Sequence, residues 1–192
     1  MRSKVIGITG TPASGKSTFA SALSNKLGIE NVIELGEVVQ KMHFYTSYDR
    51  HYRAYVADIA ALEKYIRKKC EEKGDIVIVG HLLADLNIRV DAMVVVRARL
   101  ESLLNRMLKR GYSIAKIREN IAAEITDYFG NASAAKGIPT IEVLSEEDKN
   151  RAIKELSDFI KGKGANLHSR GLSYNRGSEF EKFIKGHPEL GL

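Results

Sequence analysis

Five short apolar runs, rich in β-branched residues, alternate with amphipathic stretches along the 192 residues. Lys4 to Thr9, Asn31 to Leu35, Asp75 to Val79, Ala92 to Val96 and Ile138 to Leu144 read as strands, and the most continuous of them as strands buried on both faces. Between them the spacing becomes helical. Phe19, Leu23 and Leu27 share one stripe of a helix that starts near Gly15 and stops at Gly28. Ile59, Leu62, Ile66 and Cys70 do the same over Val56 to Glu72, before Lys73-Gly74. Two helices joined at Arg110-Gly111-Tyr112 are predicted between Arg97 and Glu124, and Ser145-Glu146-Glu147-Asp148 opens a last one that reaches about Lys161. This alternation predicts an α/β fold, a parallel sheet with helices on both faces. Ligands of such sheets sit beyond the carboxyl ends of the strands, where residues 10–18, His81 and Arg97 are expected to converge.

Two stretches leave the pattern. Gly36 to Arg53 begins as a helix and continues as the polar, aromatic run Tyr45 to Arg53, too irregular for a core element and suited to an excursion that covers a ligand. From Gly162 onward, scattered Gly, Arg and His residues and a short apolar turn at Phe180–Ile184 suggest an appended basic arm over 162–192, after a domain over 1–161. A solvated tail and a segment that folds on a partner are both compatible with it.

Composition adds limits. Hydrophobic residues at 44% and charged ones at 28% describe a soluble globular chain, and a formal charge of +6 admits polyanionic partners without choosing among them. Cys70 is the one cysteine, which leaves no internal disulfide and no zinc set. No stretch reads as a signal peptide or a membrane span, so a cytoplasmic protein without membrane contact is expected.

The chemistry is concentrated at Gly10-Thr11-Pro12-Ala13-Ser14-Gly15-Lys16-Ser17-Thr18, directly after the first strand and before the first helix. The stretch satisfies G-x-x-x-x-G-K-[ST] at every fixed position. Gly10 and Gly15 let successive N–H groups form an anion nest at a helix N-terminus. Lys16 is then placed to neutralise β- and γ-phosphates, and the Ser17 hydroxyl suits one corner of a Mg²⁺ octahedron. Arg106 and Arg110 lie one helical turn apart, so both guanidinium groups can face one phosphate chain from a mobile flap, or form an ordinary solvated face. His81 follows a buried strand and Gly80, where it either orients a water or the γ-phosphate, or serves the structure alone.

Together with Tyr48-Asp49, Gly80-His81, Arg97, the run Arg106 to Tyr112, Glu119-Asn120 and Ala123-Glu124, this loop resembles the adenylate kinase isoenzyme 6 type family over about Lys4 to Leu144. The resemblance implies a nucleoside monophosphate kinase fold of the P-loop NTPase type with a five-stranded parallel sheet in the order 2-3-1-4-5. It also implies a monophosphate-binding excursion at about 30–53 and a lid at about 109–119. Carried over by position, Gly10, Ala13, Gly15, Lys16, Ser17 and Thr18 would hold ATP or ADP, with Arg110 reaching it from the lid. The implied function is a broad-specificity adenylate kinase and ATPase that uses Mg-ATP, with AMP as acceptor, in maturation of the small ribosomal subunit. The implied partners are a small-subunit ribosomal protein of the uS11 type and pre-ribosomal RNA.

Three positions depart from the family pattern. Ala13 replaces a glycine, Gln40 stands where an arginine can grip the monophosphate, and Val79 stands where many members carry an acid two residues before the histidine. Asp75 lies too far back to replace that acid, while Asp85 is an alternative. An amide cannot make the bidentate contact of a guanidinium. These departures favour an ATP-switched assembly factor with little AMP kinase activity, whereas the Arg-Gly-Tyr lid favours the kinase. Removal of everything after Lys161 is expected to spare nucleotide turnover.

Overall fold

The computed structural model describes residues 3–144, 148–163, 167 and 176–192. Its centre is a five-stranded parallel sheet. Strand β1 (Val5–Thr9) leads into helix α1 (Lys16–Leu27), then strand β2 (Asn31–Glu34) and helix α2 (Leu35–Lys41). An antiparallel hairpin follows, β3 (Tyr45–Asp49) with β4 (Ala54–Ala57), and then helix α3 (Ile59–Cys70) and strand β5 (Ile76–Val79). A single 3₁₀ turn, His81–Ala84, precedes strand β6 (Ala92–Arg97), helices α4 (Leu100–Lys109), α5 (Ile114–Ile125) and α6 (Tyr128–Ala135), and strand β7 (Thr140–Leu144). Helices α7 (Lys149–Ile160) and α8 (Arg176–Gly186) close the chain, with a short 3₁₀ turn at Pro188–Leu190.

The order across the sheet is β2-β5-β1-β6-β7, and because the hairpin lies outside it, the sheet strands counted alone run 2-3-1-4-5 as expected. β1 lies in the middle, paired on both sides, so the loop that follows it opens at the centre of the carboxyl edge. Alternation along the strands builds two layers. Ile6, Ile8, Val77, Val79 and Val94 pack on Phe19, Leu23 and Leu156 of α1 and α7, while Val5, Ile76, Ile78 and Val95 pack on Leu62, Ile66 and Phe129 of α3 and α6.

The predicted elements needed four changes. The aromatic excursion supplies the first strand and the turn of an antiparallel hairpin, with a break in register between Tyr45 and Ser47, in which Tyr45 stacks on Tyr55 and Tyr48 meets Tyr55 edge-on. Val56 and Ala57 belong to β4, so α3 begins later, at the cap where the Asp58 carboxylate accepts from the Ala61 N–H. Helix α6 is an element that periodicity does not reveal. Its sequence, YFGNASAA, has almost no apolar rhythm, and Gly130 is required because a Cβ there would meet Asp127 and the Arg97 guanidinium.

The fourth change concerns the arm. Within 176–192 it is packed rather than solvated, since Phe183 and Leu190 join Leu103, Leu104, Met107, Ile117 and Ile121 of α4 and α5 in one buried cluster. The Glu179 carboxylate also accepts from the Leu100 N–H, which caps the start of α4 with a negative charge. Removing the arm would therefore expose the apolar face of the two helices that carry Arg106 and the lid. The acidic start predicted for the last helix at 145–147 lies outside the described residues.

Candidate functional site

Residues 10–18 form an anchored loop. Gly10 has φ 135°, and a Cβ there would lie 2.2 Å from the Val96 carbonyl, so only glycine lets β1 turn so close to β6. Gly15 takes the left-handed conformation at the N-cap of α1. Ala13 also has positive φ, 70°, so an alanine holds a shape that glycine adopts without cost; the strain is about 1 kcal/mol.

Three side chains fix this loop from different directions. Lys16 Nζ donates to the Gly10 and Thr11 carbonyls, each at 2.8 Å. Arg106 Nη1 donates to the Ala13 carbonyl at 3.2 Å, which brings α4 against the loop. The buried Thr11 hydroxyl donates to Glu124 Oε2 of α5. Loss of hydration lowers the Lys16 pKa to about 7; Glu124 and Glu34 oppose that shift and Arg110 adds to it. An incoming phosphate chain would replace the lost hydration and hold the ammonium charged.

Arg97 does not face the ligand edge, contrary to expectation. It is fully buried and ion-paired to Glu124 at 3.8 Å, Glu142 at 3.4 Å and Asp127. Burial alone would lower the guanidinium pKa, but the three carboxylates raise it above its ordinary value. Arg97 thus holds Glu124, and through Thr11 the loop, to α6 and β7. Arg118 is likewise drawn away, donating to the Gly191 carbonyl, and Lys116 lies over the Tyr112 ring.

His81 begins the 3₁₀ turn after β5 and is exposed. Neighbouring protein atoms strip part of the ring's hydration, and Lys16 and Lys116 repel its proton, so the pKa falls to about 4 against a weaker pull from Asp85. The imidazole is neutral at pH 7 and can accept a proton from water. Lys136 Nζ braces the rest of this turn by donating to the Leu83, Ala84 and Leu86 carbonyls, the last at 2.8 Å. Asp85 is engaged elsewhere, accepting from the Tyr128 hydroxyl.

The fold thus joins Lys16 to Gly10 and Arg106 to Ala13 around the one loop that also holds Gly15, with Arg110 and His81 within electrostatic reach of Lys16. Ser17 and Thr18 are exposed at the first turn of α1, so the Ser17 hydroxyl is free to meet a metal ion and fits that role. The turn of the hairpin meets the start of α5, where the Ser113 hydroxyl donates to the His51 carbonyl at 3.4 Å. A cavity of about 510 Å³ lined by Asp127, Asn131, Thr140 and Glu142 lies beyond α6 and includes no loop residue. Sequence reasoning gave no role to Thr11, Glu124 or Glu34. Only Glu124 had a signal, its place in the Ala123-Glu124 pair.

A family model described as an AAA domain matches residues 6–127. A protein of Methanocaldococcus jannaschii named "Putative adenylate kinase" is 37% identical over 158 residues, covering 82% of this chain and 86% of its own. The adenylate kinase isoenzyme 6 homolog of Schizosaccharomyces pombe is 34% identical over 119 residues, 62% of this chain and 67% of that protein. Among solved structures, deoxyadenosine kinase from M. mycoides with bound dATP superposes with a TM-score of 0.53 at 18% identity, covering 82% of this chain and 99% of that one. That last likeness concerns the fold alone.

Proposed function

Because this chain belongs to the adenylate kinase isoenzyme 6 type family, we propose that it transfers the terminal phosphoryl group of Mg-ATP to AMP, giving two ADP, and hydrolyses ATP more slowly when no acceptor is bound. The observation that carries the reading is the anchored loop: an ammonium parked on its own loop carbonyls, Ala13 and Gly15 at positive φ before α1, and Arg106 fixed to Ala13. Phosphoryl transfer needs positioning and positive charge more than covalent chemistry, and this is what the loop supplies.

In this reading the amides of residues 13–18 and Lys16 hold the β- and γ-phosphates, and Arg110 approaches them from the lid turn. Arg106 keeps the loop in shape from α4. Ser17 would hold Mg²⁺, which when bound neutralises the phosphate oxygens. His81, neutral at pH 7, accepts a hydrogen bond from the attacking water in hydrolysis, whereas in transfer to AMP the attacking atom is a phosphate oxygen that needs no base. A coupled assay tests the function: ADP should form from ATP several times faster with AMP than without. No turnover under either condition would remove the proposal.

A second reading draws on two observations. Val79 is fully buried, leaving the end of β5 without a carboxylate, and Gln40 is an exposed amide on α2. Both favour an ATP-switched assembly factor in the cytoplasm, holding a small-subunit ribosomal protein of the uS11 type or pre-ribosomal RNA and releasing it on hydrolysis. Phosphate release that is unchanged by AMP, with nucleotide-dependent capture of a uS11-type protein, would favour the switch over the kinase.

A further inference from the structure

Val79 removes the acid expected at the end of β5, yet the sheet supplies one on the next strand. β2 and β5 are parallel neighbours, and in their register Glu34 is the Cα partner of Val79. Partners in register direct their side chains to the same face. Val79 belongs to the layer with Phe19 and Leu23 of α1, whereas Ile33, one residue before Glu34, packs in the opposite layer. Glu34 therefore faces the α1 side, where Lys16 and Ser17 begin their helix.

Glu34 is also available. It is half-buried, stands at the N-cap of α2 without capping it, and makes no hydrogen bond or ion pair with another described residue. The other carboxylates of the region are engaged: Glu124 by Thr11 and Arg97, Asp85 by Tyr128, and Glu37 by Lys41. The charge of Glu34 is felt at Lys16.

Resting on the phosphate-loop reading above, we propose that Glu34 is the carboxylate that orders the Mg²⁺ hydration shell of the bound nucleotide, moved by one strand from the position that Val79 occupies. Magnesium keeps several waters and takes few protein ligands when phosphates supply the rest. One hydroxyl, Ser17, and one carboxylate in the outer shell meet that need.

The test titrates ADP calorimetrically into wild type, Glu34→Gln and Asp85→Asn, in Mg²⁺ and in EDTA, and follows Mn²⁺ binding to each ADP complex by electron paramagnetic resonance. Glu34→Gln is nearly isosteric, so the fold is retained. Its ADP complex should bind Mn²⁺ about tenfold more weakly, as expected for an outer-shell partner. Its affinity for ADP in EDTA should stay within about twofold of wild type, and Asp85→Asn should match wild type throughout. Wild-type metal affinity in Glu34→Gln, an equal loss of metal-free ADP affinity, or a loss in Asp85→Asn as large as in Glu34→Gln would overturn the assignment. If wild type binds no ADP, the loop reading fails with it. If wild type binds ADP with a metal dependence that Glu34→Gln leaves intact, this inference alone fails.

Discussion

The loop at residues 10–18 and the β3–β4 hairpin are built in opposite ways. In the loop, Thr11 and Ser14 are fully buried, Lys16 and Arg106 are tied to main-chain carbonyls, and Glu124 links Thr11 to a buried arginine. In the hairpin, Tyr48 is 51% exposed and Tyr55 45%, and the turn reaches the start of α5 through a Ser113 hydroxyl contact at 3.4 Å. The loop is therefore preorganised by contacts that exist without a ligand, while the hairpin is held mainly by aromatic pairs on its own surface. Preorganisation of this kind places charge before the reaction needs it.

The sharpest way to break this comparison is at Lys16. Lys16→Ala should slow ATP turnover by about a thousandfold, or 4 kcal/mol of transition-state stabilisation, because the loop loses its only cation. Turnover within about tenfold of wild type in a coupled assay would mean that the loop is not where chemistry occurs.

Next in size is the support behind the loop. Arg97→Ala leaves the carboxylates of Glu124, Asp127 and Glu142 without their shared partner, which should cost about 3–5 kcal/mol in urea unfolding. A loss below about 1 kcal/mol would show that the network is not a buried anchor.

His81→Ala should slow hydrolysis by about a hundredfold while ADP affinity measured by calorimetry changes little. Its pH behaviour has a definite sign. The folded-state pKa lies below the ordinary 6.5, at about 4, so the folded protein binds fewer protons than the unfolded chain between those values. This group's contribution to stability therefore falls as pH drops through 6.5 toward 4, and the imidazole produces no step in the rate above pH of about 5. A rate step near 6.5 that disappears in His81→Ala would place the ring in bulk-like water.

The smallest effect belongs to the hairpin. Tyr55→Ala removes a stacked and an edge-on partner, at about 0.5–1.5 kcal/mol, and should raise KM for AMP while leaving AMP-independent ATP hydrolysis unchanged. Equal losses in both activities would show that the hairpin supports the donor side too.

Much of this molecule was legible in one dimension. The loop motif, the strand before it and the helix after it are local, because a phosphate nest is made from consecutive amides and its glycines are set by backbone geometry. The parallel sheet follows from alternation of buried strands and helices, and its order came with the family likeness. The hairpin and α6 were hidden because neither buries a clean apolar stripe: one is held by tyrosine pairs, the other by Phe129 and a glycine packed on Arg97.

What tertiary structure alone decided are the side-chain roles that depend on who stands opposite whom. Thr11 and Glu124 lie 113 residues apart, and no local pattern joins them. Arg97 looked like a ligand-edge cation until burial among carboxylates from three elements made it a brace. Glu34 gained meaning only when strand register set it beside Val79, because pairing across a sheet is fixed by which faces must be buried rather than by distance along the chain.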